Sequence, residues 1–373
     1  MTIRFIALSG FLGAGKTTAM LAAARVLDAG GHHVAVITND QADDLVDTAV
    51  AARQTATVGQ VSGGCFCCRF EDLMDTVTTL IDRDGADTVI AESVGSCTDL
   101  QATVVRPLMS HYADTFAVSP LTTVVDPSRA VAFGKAWRAG AESDLAYVFR
   151  QQLLDAEVIV LNKIDLYRPE LLTNARQAIE AMAPGRPIVD LSARGGDGLD
   201  DLLQVWTRDA IIGQDLDIDY DRYAAAEAEL AWCNTTVTLT APGGIDINAW
   251  TSDLLDRISH DCASPEYTIG HVKVFTTTPS GVVKGAVTAS GDPASLDQTT
   301  VDRPVNAATA TVNARVESPP AALDTLILNA IEQVSASHGA TTDVTPVASF
   351  KPAYPKPVHR ISAAALRTRD DVT

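Results

Sequence analysis

The sequence predicts an α/β fold with a doubly wound, mostly parallel sheet, followed by a smaller C-terminal α+β domain. Short β-branched apolar runs without polar alternation are typical of strands buried on both faces of a parallel sheet. Segments with helical periodicity lie between these runs, and such alternation implies right-handed crossovers. A length of 373 residues also accommodates two domains.

In the first two hundred residues, strand-like runs alternate with helix-like runs. The predicted strands are Ile3–Leu8, Val34–Thr38, Thr88–Ala91, Thr122–Val125, Val158–Leu161 and Pro187–Leu191. The predicted helices are Thr17–Ala29, Asp72–Arg83, Leu100–His111, Ser143–Leu154, Pro169–Met182 and Leu199–Asp209. We assign this pattern to a first domain over residues 1–213.

The composition changes at Gly213–Asp221, which is acidic and lacks a period, so we interpret residues 214–229 as a linker. Residues 230–350 then predict a second domain with an antiparallel sheet. Its expected elements are a preceding helix at Tyr223–Leu230, helices at Ile247–His260 and Ala321–Ser337, and strands at Asn234–Thr240, Tyr267–Thr277, Val282–Ala289, Thr309–Val316 and Asp343–Ser349. The tail 351–373 contains prolines that cannot continue a helix or sheet interior, so we expect it to lie across the surface.

Charge and composition indicate which kinds of binding partner and which cellular compartment the sequence favours. The net charge of −19 disfavours nucleic acid and anionic membranes, because both need a basic surface. No apolar run is long enough to span a membrane, and Met1–Ser9 is typical of a buried strand rather than a secretory signal. We therefore expect a cytoplasmic protein without membrane or nucleic-acid partners. The six cysteines do not form a spaced disulfide framework, which favours metal ligation or redox chemistry.

Residues 10–17 fit the phosphate-loop pattern between a predicted strand and a predicted helix. Backbone N–H groups of such a loop close on phosphates, and the helix N-terminus adds positive potential. The lysine is expected to reach the β and γ phosphates, and the threonine hydroxyl to bind Mg²⁺. The predicted nucleotide-binding residues here are Gly10, Gly13, Ala14, Gly15, Lys16, Thr17 and Thr18.

A second motif, Asn162-Lys163-Ile164-Asp165, follows a predicted strand. Asp165 can accept two hydrogen bonds from guanine, whereas adenine would leave a buried carboxylate unsatisfied. Ser192 and Ala193, after the next strand, suit a loop that closes over the base. The sequence therefore predicts GTP as the nucleotide.

Acidic residues complete the phosphate side of the predicted pocket. Glu92 ends one strand and can hold Mg²⁺ or its water, while the N–H of Gly95 can sense the γ-phosphate. Asn39-Asp40 ends another strand, the usual place for a first switch. We assign Lys16, Thr17, Glu92 and Asp40 to catalysis. No glutamine stands out as a water-positioning group, so slow hydrolysis is expected.

Three thiols, Cys65, Cys67 and Cys68, stand within four residues after the strand-like stretch Thr57–Val61. In an extended chain the first two point the same way, and Cys68 needs a turn to join them. Thiolates suit Zn²⁺ or Co²⁺, and three of them leave a fourth position open. A redox pair and a buried cysteine cluster are the alternatives. Cys97 could complete a four-thiolate site in the GTP state, or could be a small buried residue behind the switch.

The stretches SGFLGAGKTT, GCFCC, Glu-x-x-Gly and LNKID occur in the order seen in the CobW-like metallochaperone GTPases. The chain resembles this family, which is related to the nickel-delivery GTPases of hydrogenase and urease maturation. The resemblance implies a P-loop GTPase domain, Mg²⁺-GTP binding, slow hydrolysis and a transition metal on Cys65, Cys67 and Cys68. The sequence QADDLVDT after Asp40 and the lack of a His-rich loop in the second half depart from the family pattern.

The resulting hypothesis is a metallochaperone that couples GTP hydrolysis to metal delivery to a client protein or cofactor-assembly enzyme. The second domain is expected to recognise the client, and a nucleotide-dependent homodimer is left open. One alternative is a GTPase regulator or loader of a corrinoid or other metallo-enzyme, in which bound zinc is structural. Another is a redox-sensing GTP-binding module that uses Cys67 and Cys68.

Overall fold

The computed structural model describes residues 2–39, 51, 57–345, 347 and 349–370. The chain divides into two compact units. The first unit contains the described residues up to 226 together with 354–370, and the second contains those within 227–353. Among the described residues, the chain passes from the first unit to the second after residue 226 and returns to the first at residue 354.

A parallel sheet forms the centre of the first unit. Its described strands are β1 (Ile3–Ser9), β2 (Val34–Asn39), β3 (Val58–Val61), β4 (Thr88–Glu92), β5 (Phe116–Val118), β6 (Thr122–Val125), β7 (Val158–Leu161) and β8 (Ile188–Asp190). The order is β3-β2-β4-β1-β6-β7-β8, with β5 also paired to β1. All these pairings are parallel. The predicted doubly wound α/β fold is confirmed, and the fully buried strands β2, β4 and β7 explain why their apolar runs do not alternate.

Helices lie between these strands and after the last of them. They are α1 (Lys16–Ala29), α2 (Phe70–Asp84), α3 (Arg106–His111), α4 (Pro127–Arg138), α5 (Asp144–Asp155), α6 (Pro169–Met182), α7 (Leu199–Trp206) and α8 (Tyr220–Glu229). A π-helical turn, Gln101–Val105, runs directly into α3. The α4 helix was not predicted, although Asp126 caps it by accepting from the N–H of Ser128 at 2.8 Å. No helix in the described part of the chain is long and apolar enough to cross a membrane.

The parallel sheet gathers polar residues at one edge. The phosphate loop follows β1, Asn39 and Glu92 end β2 and β4, and Asn162 follows β7. Leu8 pairs with Glu92, and Asn39 pairs with Val61, so the carboxyl ends of these strands lie side by side. Ligands of open α/β sheets bind at this edge.

The second unit contains an antiparallel sheet and two long helices. Its described strands are β9 (Leu230–Ile245), β10 (Ile269–Thr278), β11 (Gly281–Val287), β12 (Ser295–Thr299), β13 (Val305–Glu317) and β14 (Thr341–Val344), in the order β12-β11-β10-β13-β9-β14. The helices are α9 (Ile247–Ala263) and α10 (Pro320–Ser337). Their apolar faces contribute buried residues such as Trp250 and Ile331 to one core, which also contains Cys233 and Cys262. The predicted α+β architecture is confirmed, although β12 was not predicted because its sequence is polar.

The C-terminal residues 354–370 belong to the first unit. They end in α11 (Ala363–Asp370), a helix that the prediction of a surface tail did not include. The prolines at 352, 355 and 357 all precede this helix, so they do not prevent it.

Candidate nucleotide and metal site

The phosphate loop needs glycine at two positions because its backbone passes close to neighbouring groups. Gly10 has φ +135°, and a Cβ there would lie 2.1 Å from the carbonyl oxygen of Val124. Gly15 has φ +93°, and a Cβ there would lie 2.5 Å from Nδ2 of Asn162. Gly13 also has positive φ, +75°. The loop is therefore shaped by glycines into a tight turn at the N-terminus of α1, as a phosphate cradle requires.

The first residues of α1 point toward the loop and the end of β4. The buried ammonium of Lys16 donates to the carbonyl of Gly10 at 2.7 Å. The Thr17 hydroxyl lies 2.9 Å from both carboxylate oxygens of Glu92. Neighbouring ligands of an octahedral Mg²⁺ with metal–oxygen bonds of about 2.05 Å stand about 2.9 Å apart. Thr17 and Glu92 therefore fit a Mg²⁺ site, and Thr18 lies beside them in the first turn of α1.

Asn162 joins the phosphate loop to the loop after β8. Its Nδ2 donates to the carbonyl of Ala14 at 2.9 Å, and its Oδ1 accepts from the N–H of Ala193 at 3.1 Å. Ser192 is buried, and its Oγ accepts from the N–H of Gly195 at 2.9 Å. The two loops are thus tied together through one amide side chain.

The remaining residues of the 162–165 motif follow β7 along the chain. Lys163 has φ +60°, and its Nζ lies 2.7 Å from Oδ2 of the buried Asp126. This ammonium holds the pKa of Asp126 below its usual value, although burial alone would raise it. The side chain of Asp165 is exposed, so its carboxylate can meet a base that arrives from solvent.

The thiol loop, residues 63–68, closes in a turn. The N–H groups of Cys68 and Arg69 both donate to the carbonyl of Cys65, at 2.9 and 3.0 Å. This turn brings three sulfur atoms together: Cys65 to Cys67 is 2.7 Å, Cys65 to Cys68 is 3.5 Å and Cys67 to Cys68 is 3.7 Å. All cysteines of the chain are free thiols. The required turn at Cys68 is therefore present.

The sulfur spacing is compatible with a metal site. Four thiolates at about 2.3 Å from a tetrahedral Zn²⁺ stand about 3.8 Å apart. The two distances to Cys68 are close to this value, and only the pair Cys65–Cys67 would have to separate by about 1 Å. Among the described residues, the group whose ligand atoms all lie within 4.8 Å of one another is Cys65, Cys67 and Cys68.

The three thiols are expected to carry protons when no metal is bound. The pKa of Cys67 is well above its usual value, first because of hydrogen bonds to Cys65 and Cys68, and then because of Cys97 and burial. The pKa of Cys68 is raised by its hydrogen bond to Cys65 and by burial. Because thiolates are the ligands, an ion that binds here must displace these protons.

Cys97 lies near the cluster but not within it. Its buried thiol interacts with Cys65 and Cys67, although it is absent from the group of mutually close ligand atoms in the described chain. Gln152 fixes its backbone, since Nε2 of Gln152 donates to the carbonyls of Gly95 and Cys97 at 2.9 and 2.8 Å. Cys97 would have to approach to become a fourth ligand.

Asn39 connects the thiol loop to the loop after β4. Its Nδ2 donates to the carbonyls of Val61 and Gly64 at 3.0 and 2.8 Å. Its Oδ1 accepts from the N–H of Phe66 at 3.1 Å and from that of Val94 at 3.4 Å. The sequence placed Asn39, with Asp40, at the expected first switch but did not predict that its side chain holds these two loops. Asp40, which the sequence assigned to catalysis, lies outside the described residues.

The fold and the phosphate loop define a P-loop nucleotide-binding protein with a thiol cluster beside the pocket. Residues 4–190 match the family model described as CobW/HypB/UreG, nucleotide-binding domain. The match covers half of the chain, and the chain belongs to this family of P-loop GTPases. The resemblance predicted from the sequence is confirmed.

Two relatives in sequence agree with this family. The zinc chaperone CobW of Sinorhizobium sp is 29% identical over 217 residues, covering 51% of this chain and 58% of the relative. The zinc chaperone CobW of Pseudomonas aeruginosa is 28% identical over 218 residues, covering 50% and 56%. A crystal structure of HypB from Helicobacter pylori in complex with nickel has a TM-score of 0.39 and 16% identity, covering 55% of this chain and 87% of that chain. The chain thus spans a little over half the length of the first two relatives.

Proposed function

We propose that this protein is a GTP-binding metallochaperone, in which the nucleotide state controls a transition metal held by Cys65, Cys67 and Cys68. The observation that carries the proposal is the position of Asn39. One side chain binds the thiol loop at Gly64 and Phe66 and the loop after Glu92 at Val94. A movement of either loop therefore changes the hydrogen bonds of the other.

The nucleotide proposed is Mg²⁺-GTP. Lys16 would bind the phosphates, Thr17 and Glu92 would hold Mg²⁺, and Asp165 would accept the hydrogen bonds of guanine. Bound Mg²⁺ would neutralise charge on the phosphates. Val94 and Gly95 follow Glu92 directly, so contacts to the γ-phosphate would move the backbone that Asn39 holds. We retain Asp40 as a proposed member of the catalytic group and slow hydrolysis as the expected rate.

The ion proposed is Zn²⁺, with Co²⁺ as the alternative. Three thiolates on a tetrahedral ion leave one position open. The names of the two relatives, both zinc chaperones, favour zinc. In the GTP state we assign the fourth position to Cys97, because it already interacts with two of the thiols and lies two residues beyond Gly95.

Hydrolysis would then loosen the fourth contact and allow transfer of the ion to a client protein or cofactor-assembly enzyme. We propose that the second unit recognises this client, since the nucleotide and thiol residues all belong to the first unit. A cytoplasmic location suits the free thiols, because a reducing compartment keeps them available.

The test is the Zn²⁺ dissociation constant of the nucleotide-free, GDP-bound and GTP-analogue-bound protein, measured by competition with a chromogenic chelator. We expect about 10-fold tighter binding with the GTP analogue, within the range of coupling seen in allosteric proteins. Cys97→Ser should remove most of this difference, whereas Cys262→Ser, a buried thiol of the second unit, should leave it unchanged.

Equal dissociation constants in all three states would refute the proposal and favour a structural zinc. Retained coupling in Cys97→Ser would remove only Cys97 from the site. A protein that binds no metal but loses GTP affinity on mild oxidation would instead support the redox-sensing alternative.

A further inference from the structure

The C-terminal segment 354–361, which we call the strap, lies against the thiol loop within the first unit. The backbone N–H of Lys356 donates to Sγ of Cys68 at 3.1 Å. The N–H of Val358 donates to the carbonyl of Cys67 at 2.8 Å. Two backbone donors from a distant part of the sequence are thus directed at consecutive members of the cluster.

The strap lies on the side of the cluster that is open to solvent. The side chains of Cys65 and Cys67 are 2% and 1% exposed, whereas Cys68 is only partly buried. Cys68 is therefore the most accessible of the three thiols to solvent or to an acceptor. Beyond this point Nε2 of His359 lies 3.2 Å from Oε1 of Glu71, just after the thiol loop.

The other end of the strap is fixed to the segment that follows Glu92 and Cys97. Nε of Arg360 donates to Oδ2 of the buried Asp99 at 2.7 Å. The N–H of Ile361 donates to the carbonyl of Ala102 at 2.9 Å, and Arg106 donates to the carbonyl of Ile361 at 3.0 Å. The strap therefore joins the thiol loop to the loop that responds to nucleotide in the proposed function.

We propose that the strap closes the Cys68 side of the metal site, and that the Lys356 N–H is an outer-shell donor that retains the ion on Cys68. This inference rests on the proposed function and adds a gate to it. Hydrogen bonds to ligand atoms hold them in orientation for the metal. A displacement of Asp99 would also displace Arg360, which it binds. The movement that changes the position of Cys97 would therefore also move the strap away from Cys68.

The test compares Lys356→Pro with Lys356→Ala. Both remove the ammonium, but only proline removes the N–H that faces Cys68. The flanking residues Pro355 and Pro357 keep this segment extended, which suits another proline. Both variants are loaded with Zn²⁺ in the presence of the same GTP analogue, and release to excess chelator is followed.

We expect Lys356→Pro to release Zn²⁺ about 10- to 100-fold faster than Lys356→Ala, the range typical of outer-shell changes. With Co²⁺ the thiolate-to-metal charge-transfer absorption should shift in the proline variant alone. After division by the thiolate fraction, obtained from the pH dependence of the reaction, the alkylation rate of Cys68 in metal-free Lys356→Pro should also be higher, as measured by mass spectrometry. Equal release rates, spectra and alkylation in the two variants would overturn the proposal.

A second measurement avoids the variants if proline impairs folding. In the wild-type protein, amide hydrogen exchange over residues 354–361 should slow when Zn²⁺ binds, because the strap closes on the loaded site. Exchange that is unchanged by Zn²⁺ would contradict the gate. The strap is tested within one nucleotide state, whereas the proposed function is tested between states, so either can fail without the other.

Discussion

Replacing Asn39 by alanine should uncouple the metal site from the nucleotide. The substitution removes the hydrogen bonds to Val61, Gly64, Phe66 and Val94 while leaving every proposed ligand in place. Of these four bonds, the one to Val94 attaches Asn39 to the loop after Glu92, and the bonds to Gly64 and Phe66 attach it to the thiol loop. A single hydrogen bond contributes about 0.5–1.5 kcal/mol, which corresponds to about a 2- to 12-fold change in affinity.

The assay is the ratio of Zn²⁺ dissociation constants between the GDP-bound and GTP-analogue-bound forms. In Asn39→Ala this ratio should fall toward one, by about 2- to 12-fold. The matched control is Asn313→Ala, which removes another buried amide, on β13 of the second unit, where Nδ2 donates to Asn234 at 3.1 Å. The control should keep the full wild-type ratio.

A folded Asn39→Ala protein that retains the full ratio would refute the reasoning, because coupling would then pass through other contacts. Binding of the GTP analogue with near wild-type affinity would verify that the pocket is intact. A loss of coupling in both variants would indicate general destabilisation rather than a specific role for Asn39.

Three further predictions concern the pocket, the fold and the thiols. Gly15→Ala should weaken GTP-analogue binding by about 10-fold or more, because the new Cβ would displace Asn162. The control Gly31→Ala also has positive φ, +94°, but has open space around it, so it should bind the analogue normally in the same titration. Burial, followed by repulsion from Asp99, raises the pKa of Asp155 to about 7. The folded state therefore holds a proton that the unfolded state releases near pH 4, and this group should lower the free energy of unfolding by about 2–3 kcal/mol between pH 5 and 8 in urea titrations. Asp155→Asn should remove this part of the pH dependence of the free energy of unfolding. An unchanged pH dependence would contradict the raised pKa of Asp155. Zn²⁺ binding should release protons and strengthen with rising pH, because the pKa of Cys67 is raised; calorimetry in buffers of different ionisation enthalpy measures this release.

Much of the first unit could be predicted because local sequence and tertiary environment agree there. The strands β2, β4 and β7 are buried on both faces, so their apolar runs are uninterrupted and easy to recognise. The phosphate loop carries its own signature, since only glycine fits beside Val124 and Asn162. The helix α4 was missed although Asp126 and Pro127 form a recognisable start.

Other features depend on contacts that no local pattern reveals. The strand β9 continues past Pro242 and two glycines, which are typical of a turn. In the fold they form an irregularity in the register between the pairs Thr240–Ala307 and Ile245–Val305. The contact of Lys356 with Cys68 joins residues 288 positions apart and uses a backbone N–H, so side-chain chemistry gives no indication of it. Asn39 likewise acts through backbone groups of three separate segments.

The central claim is an energetic link between nucleotide and metal, and linkage is reciprocal for binding free energies. The most direct test is the dissociation constant of the GTP analogue, measured by calorimetry with Mg²⁺ present, for the metal-free and the Zn²⁺-saturated protein. We predict that Zn²⁺ lowers the dissociation constant of the GTP analogue about 10-fold. This is the same factor by which the analogue is expected to lower the dissociation constant of Zn²⁺. Identical analogue affinities with and without Zn²⁺ would contradict the account.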